Sequence, residues 1–152
     1  MLTTYFKKQL MDAISGQISG SSAVSTGYYF GLSTTTPTVG TTTGTAADCN
    51  FTEPSSADNY ARVCYNKGAT SILVRYPFNY PTGTTTYNQV ENTTEIHFNV
   101  ATQSWGTITH IGFFDNNNHL LAFTELNNSI VVTQGSIATI LVGDAVITLE
   151  AE

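Results

Sequence analysis

Residues 95–115 read EIHFNVATQSWGTITHIGFFD, and no other stretch constrains the fold as tightly. Ile96, Phe98 and Val100 alternate with Glu95, His97 and Asn99, the period-two pattern of a half-buried strand. The run over residues 107–115 is apolar enough to be covered on both faces. Between the two runs stand the chain's only tryptophan, Trp105, and Gly106. A pair of strands meeting at this junction requires a β scaffold around it.

The rest of the chain supplies that scaffold in short pieces. Tyr28-Tyr29-Phe30-Gly31-Leu32-Ser33 is aromatic and bounded by turn residues, and reads as a strand. Residues 60–65 regain strand character, and residues 69–76 suit a further strand closed by Pro77. The stretch over residues 34–48 reads as a polar Thr/Gly-rich loop, residues 49–59 as its irregular continuation, and residues 80–92 as a second polar loop. Asp115-Asn116-Asn117-Asn118 is a strong turn signal, because Asp and Asn tolerate positive φ. It joins strands expected at 108–114 and 119–126 into a hairpin. Asn127-Asn128 reads as another turn before a strand at 129–133. Gln134-Gly135 and Gly143-Asp144 set off the last strands, 137–142 and 145–150. Short strands at this spacing predict an all-β fold, an antiparallel β-sandwich of jelly-roll or Ig-like type.

One helix is expected, at the N-terminus. Leu2, Phe6, Leu10 and Ile14 recur at spacings of four on one face, Thr3 or Thr4 suits the cap, and Gly16 suits the C-terminal end. A helix this short is marginal alone, so its apolar stripe needs a partner. That partner is either its own domain or another subunit; for the second case Leu2, Phe6, Leu10 and Ile14 are the candidate assembly residues. The expected organisation is an amphipathic helix over 1–16, a Gly/Ser-rich linker over 17–27 and a β-sandwich domain over 28–152.

Charge narrows the function. Charged residues are 11% of the chain and the formal net charge is -6, against an ordinary charged share of about 25%. All five basic residues, Lys7, Lys8, Arg62, Lys67 and Arg75, precede position 76, and seven acids lie beyond it. Such a chain lacks the basic face that nucleic acid requires. No run reaches the length of a membrane span, and the first sixteen residues lack the apolar core of a signal peptide. Cytosolic synthesis and free thiols at Cys49 and Cys64 are therefore expected, with a disulfide the alternative if the protein acts outside the cell.

A search for chemistry returns little. His97, His110 and His119 have no metal-ligand spacing. Asp115-x-Asn117 imitates the start of a calcium loop but has Leu120 at the sixth position and Leu126 at the twelfth, so turn chemistry explains it better. No nucleophile motif, paired-carboxylate motif or phosphate loop occurs. No cofactor or catalytic residue is expected. Trp105 with Tyr28, Tyr29, Tyr60 and Tyr76 offers a sugar-stacking platform by residue type, against which stands ordinary core and edge packing.

The succession GLSTTTPT, NYARV, FNVATQSWGTITHIGFFD, LLAFTEL and VVTQGSIATILVGDAVITLE resembles a group of small bacteriophage virion proteins described as tail-fibre-like. The resemblance spans most of residues 28–150 and is carried most specifically by the segment from Trp105-Gly106 to Phe114-Asp115. It implies a structural protein of the virion, made in the host cytoplasm, with no catalytic residues. Its partners would be other virion proteins and further copies of itself. A tail position (fibre, baseplate or collar) is expected, with capsid decoration or a head fibre as the alternative. A carbohydrate-binding module recognising a host surface glycan is the rival from another class.

Overall fold

A computed structural model of the chain describes residues 1–6, 27–41, 43–66, 78–79, 89–92 and 95–148. The expected strand at 69–76 and the helix beyond Phe6 lie outside the described residues. The fold is all-β and antiparallel. Among the described residues it has nine strands: β1 (Gly27–Ser33), β2 (Val63–Asn66), β3 (Phe78–Asn79), β4 (Gln89–Asn92), β5 (Ile96–Val100), β6 (Gly106–Asp115), β7 (Leu120–Val132), β8 (Ile137–Ile140) and β9 (Val146–Thr148). They form a four-stranded sheet in the order β2-β1-β6-β7, a three-stranded sheet β3-β4-β9 and a two-stranded sheet β5-β8.

The sandwich core lies where the four-stranded sheet meets β5-β8. Phe30 and Leu32 of β1, Ile108 and Ile111 of β6, and Ile96 and Ile140 of the small sheet share one buried cluster. Trp105 closes it. Its ring meets Tyr60 edge to face at 5.3 Å, and its indole N–H donates to Asp58 O at 2.9 Å. The opposite face of the large sheet is covered too, by the loop after β1: Cys49 and Phe51 pack with Phe114, Leu120 and Phe123. Burial on both faces explains the uninterrupted apolar run in β6, as the sequence predicts.

Two bulges alter the expected pattern. Across β5 and β8, His97 is opposite Thr139 but Val100 is opposite Ile137, so an extra residue enters β5. Side-chain parity then reverses. Val100 is 47% exposed and Ala101 takes the buried place at 1%. In β7, Asn127-Asn128 is no turn. Ile108 is opposite Ile130 while His110 is opposite Glu125, so the extra residues are absorbed as a bulge within one continuous strand. A third correction concerns the polar loop expected over 80–92, whose last residues form β4 and pair with β3 and β9. The hairpin turn is as expected: Asp115 Oδ1 accepts from the backbone N–H of Asn117 and of His119, both at 2.8 Å, and Asn118 takes φ 67°.

Candidate assembly surface

The N-terminal six residues lie against the edge of the large sheet. Leu2 forms an antiparallel bridge with Ala122 of β7. Phe123 N donates to Met1 O and Thr3 N to Leu121 O, both at 2.9 Å, and the Met1 nitrogen donates to Phe123 O. Residues 1–3 thus act as a fifth strand on an edge that would otherwise present unpaired groups. Thr3, fully buried, ends this strand and caps the helical turn after it. Its Oγ1 donates to Leu120 O at 2.6 Å and accepts from Phe6 N at 3.2 Å, the bond of an N-cap to the third helical residue. Residues 4–6 are helical.

The long loop after β1 clasps this segment from its other side. Thr4 N donates to Val39 O at 2.8 Å, and Leu120 N to Gly44 O at 2.6 Å. Asp48 holds the loop in shape: its carboxylate accepts from Thr41 Oγ1 at 2.7 Å and from the N–H groups of Thr43 and Gly44 at 3.2 and 3.0 Å. Gly44 has φ 66°, and a Cβ there would lie 2.4 Å from Tyr5 Cβ, so glycine is required on both counts. The Tyr5 ring stacks on His119 at 4.2 Å, and His119 Nδ1 lies 2.9 Å from Asp115 Oδ2. Burial raises the Tyr5 pKa, and the charge of Asp115 adds to it. Neighbouring Cys49 is fully buried, and burial, reinforced by Asp48, pushes its thiol up to about 11. Cys49 and Cys64 are not joined in a disulfide.

A pair of glycines admits the loop to the sheet. Gly31 and Gly112 face each other across β1 and β6. A Cβ on Gly112 would meet Phe51 Cε2 at 2.6 Å, and one on Gly31 would meet Glu53 Oε1 at 2.9 Å. Glu53 then binds Arg62 through two bonds, Nε to Oε1 at 2.8 Å and Nη2 to Oε2 at 2.7 Å, while the guanidinium lies 3.5 Å over the Phe114 ring. Tyr60 donates to the same Glu53 Oε1 at 2.8 Å and accepts from Leu32 N at 2.8 Å, continuing the ladder beyond the end of β2. Burial raises the Tyr60 pKa, and the Glu53 charge raises it further.

These contacts place each candidate residue. Leu2 leaves the expected helical stripe: it precedes the helix and is buried in the chain's own sheet edge at 8% exposure. Phe6 is half-buried in the first helical turn. Leu10 and Ile14 lie outside the described residues. Of the aromatic platform, Trp105 and Tyr60 are core residues and Tyr29 packs against the loop cluster. Tyr76 and the Tyr28 side chain lie outside the described residues. Asp48 and Glu53 bond residues four to nine positions away, at spacings that match no standard motif, and the Tyr5–His119 stack joins residues far apart along the chain.

A group of exposed apolar side chains marks the small sheet. Val100 and Ile137 face each other across β5 and β8, and Leu141 and Val142 come directly after β8, all about half exposed. Among the described residues no three His, Cys, Asp or Glu side chains gather as a metal site, and no helix is long and apolar enough to cross a membrane. The polar contacts described above hold the loops in place on the sheet. A family model described as podophage GP4 fiber I protein gp80 matches residues 1–148. No curated protein matches the chain.

Proposed function

The chain belongs to the podophage GP4 fiber I protein gp80 family, and from that membership we propose that it is a structural subunit of a bacteriophage tail fibre, acting by protein–protein assembly and without catalysis. The observation that carries this reading is the extent of the match. It covers the N-terminal segment and the sandwich together, so both lie within the region the family model matches. Its partners are other virion proteins and further copies of the chain. A sheet edge already adapted to receive an added strand supports the reading, as do loops stiffened by internal hydrogen bonds. The low charge supports it too, since Thr and Asn faces cost less to desolvate in a contact than Lys or Glu faces.

The test is removal of residues 1–6 from the phage-encoded chain, with quantitation of the chain in purified particles. The proposal expects incorporation to fall at least tenfold while the isolated sandwich still folds. Normal incorporation would show that the N-terminal segment takes no part in attachment. A glycan array on the intact protein separates recognition from structure: saccharide binding lost on substitution of loop tyrosines would replace this reading with a carbohydrate-binding one.

A further inference from the structure

Residues 1–6 make a self-contained set of contacts. Their backbone partners are Leu121 and Phe123 on β7, and Val39 in the loop. Their side-chain partners are Leu120 and Leu121 O, Gly40 O and the His119 ring. Neither hydrophobic cluster of the sandwich contains Leu2, although Leu2 and Thr3 are buried against the sheet edge. The segment is thus joined to the sandwich at its edge and not through its core. Bare, residues 120–123 of β7 would present unpaired backbone groups beside buried apolar side chains, the condition that draws in another strand.

Twenty residues, positions 7–26, separate this segment from β1. A chain of that length spans up to about 70 Å, whereas a compact domain of this size is roughly 40 Å across. That length of chain is enough to place residues 1–6 on the β7 edge of an adjoining copy. Every contact would be the same in either arrangement, so exchange gains association without giving up any of them. We infer that in the assembled fibre the β7 edge is a strand-acceptor site filled by residues 1–6 of a neighbouring copy of this chain. This rests on the assembly role proposed for the chain and specifies the joint. Reciprocal exchange closes a pair or ring, and successive exchange propagates along a fibre.

Leu2 and Ala122 allow a direct test. The bonds flanking this bridge make it a non-hydrogen-bonded pair, for which Cα atoms lie about 4.5 Å apart, within disulfide range. Full-length chain carrying L2C and A122C, with C64S to remove the partly exposed thiol, is oxidised in its assembled form and run on a denaturing non-reducing gel. Exchange predicts covalent multimers. A disulfide confined to single chains, or none, overturns it. Since both positions are buried, a second measurement leaves them intact. A photo-crosslinking residue replaces the exposed Thr4, and assemblies are mixed from isotopically light and heavy copies. Exchange predicts light–heavy hybrid peptides joining position 4 to residues 39–41; only light–light and heavy–heavy peptides overturn it. Light scattering on the same samples separates the two ideas. Oligomers with intrachain links reject the exchange alone, and monomers that never enter particles reject the assembly role with it.

Discussion

At the scale of single residues, polar groups buried beside the core set the stability. Tyr60 is the clearest case, because its hydroxyl serves both the Leu32 amide and Glu53. Tyr60→Phe leaves a buried N–H without its acceptor and removes a bond to a carboxylate, a loss of about 2–3 kcal/mol. Urea unfolding of the variant against the parent measures it. His110 gives the molecule a pH dependence. It is 6% exposed, its Nδ1 lies 2.8 Å from Thr109 Oγ1, and burial lowers its pKa against a smaller opposing effect of Glu125. The unfolded chain then binds the proton more readily than the folded one. This contribution is harmless above the ordinary histidine value of about 6.5 and destabilises as pH falls below it. His110→Gln is expected to flatten the fall in unfolding midpoint between pH of about 7 and 5, where the carboxylates titrate little; an unchanged slope would assign the effect elsewhere. Strict alternation puts His110 on one face with Ile108 and Phe114, but a register shift after Ile108 leaves those two in clusters on opposite faces of the sheet, so the burial of His110 follows from the fold and not from the count of two. The role of Tyr60 is not legible either, since Leu32 and Glu53 reach it only through the fold.

At the scale of elements, the close approach of the long loop to the sheet is the feature most exposed to test. Gly112→Ala would press a methyl group to 2.6 Å from Phe51 and 2.7 Å from Leu120, both in a well-packed cluster, and overpacking of this kind costs about 1–3 kcal/mol. Thermal unfolding reads the loss. Thr3→Val removes the cap of the first helical turn and the bond to Leu120 O, worth about 1–2 kcal/mol together. The effect should be local: amide exchange at Thr3 and Phe123 accelerates while β1 and β6 stay protected. Periodicity reveals β1, β5, β6 and the Asn hairpin because each is set by its own residues. It fails at Val100 and at Asn127-Asn128, where a bulge breaks the count of two. Asn-Asn is compatible with a turn or a bulge, and only the partner strand decides which. Leu2 defeats it for a similar reason. Its spacing to Phe6 fits a helix, but the carbonyls and amides of β7 claim it as a strand.

At the scale of the whole molecule, a sandwich is closed on the loop side and by its N-terminal segment, and keeps an apolar outer pair at Val100 and Ile137. Deleting residues 1–6 uncovers the edge at residues 120–123 and should turn a soluble preparation into one that associates with rising concentration, measured by light scattering. The central claim is that the chain is a repeated fibre subunit that works by contact alone. Electron microscopy of intact particles, with the copy number of this chain, tests it most directly. The account predicts several symmetry-related copies in the tail fibres, each with its β7 edge occupied by an N-terminal segment. Absence of the chain from the particle, or a single copy without contact to its own kind, would contradict it.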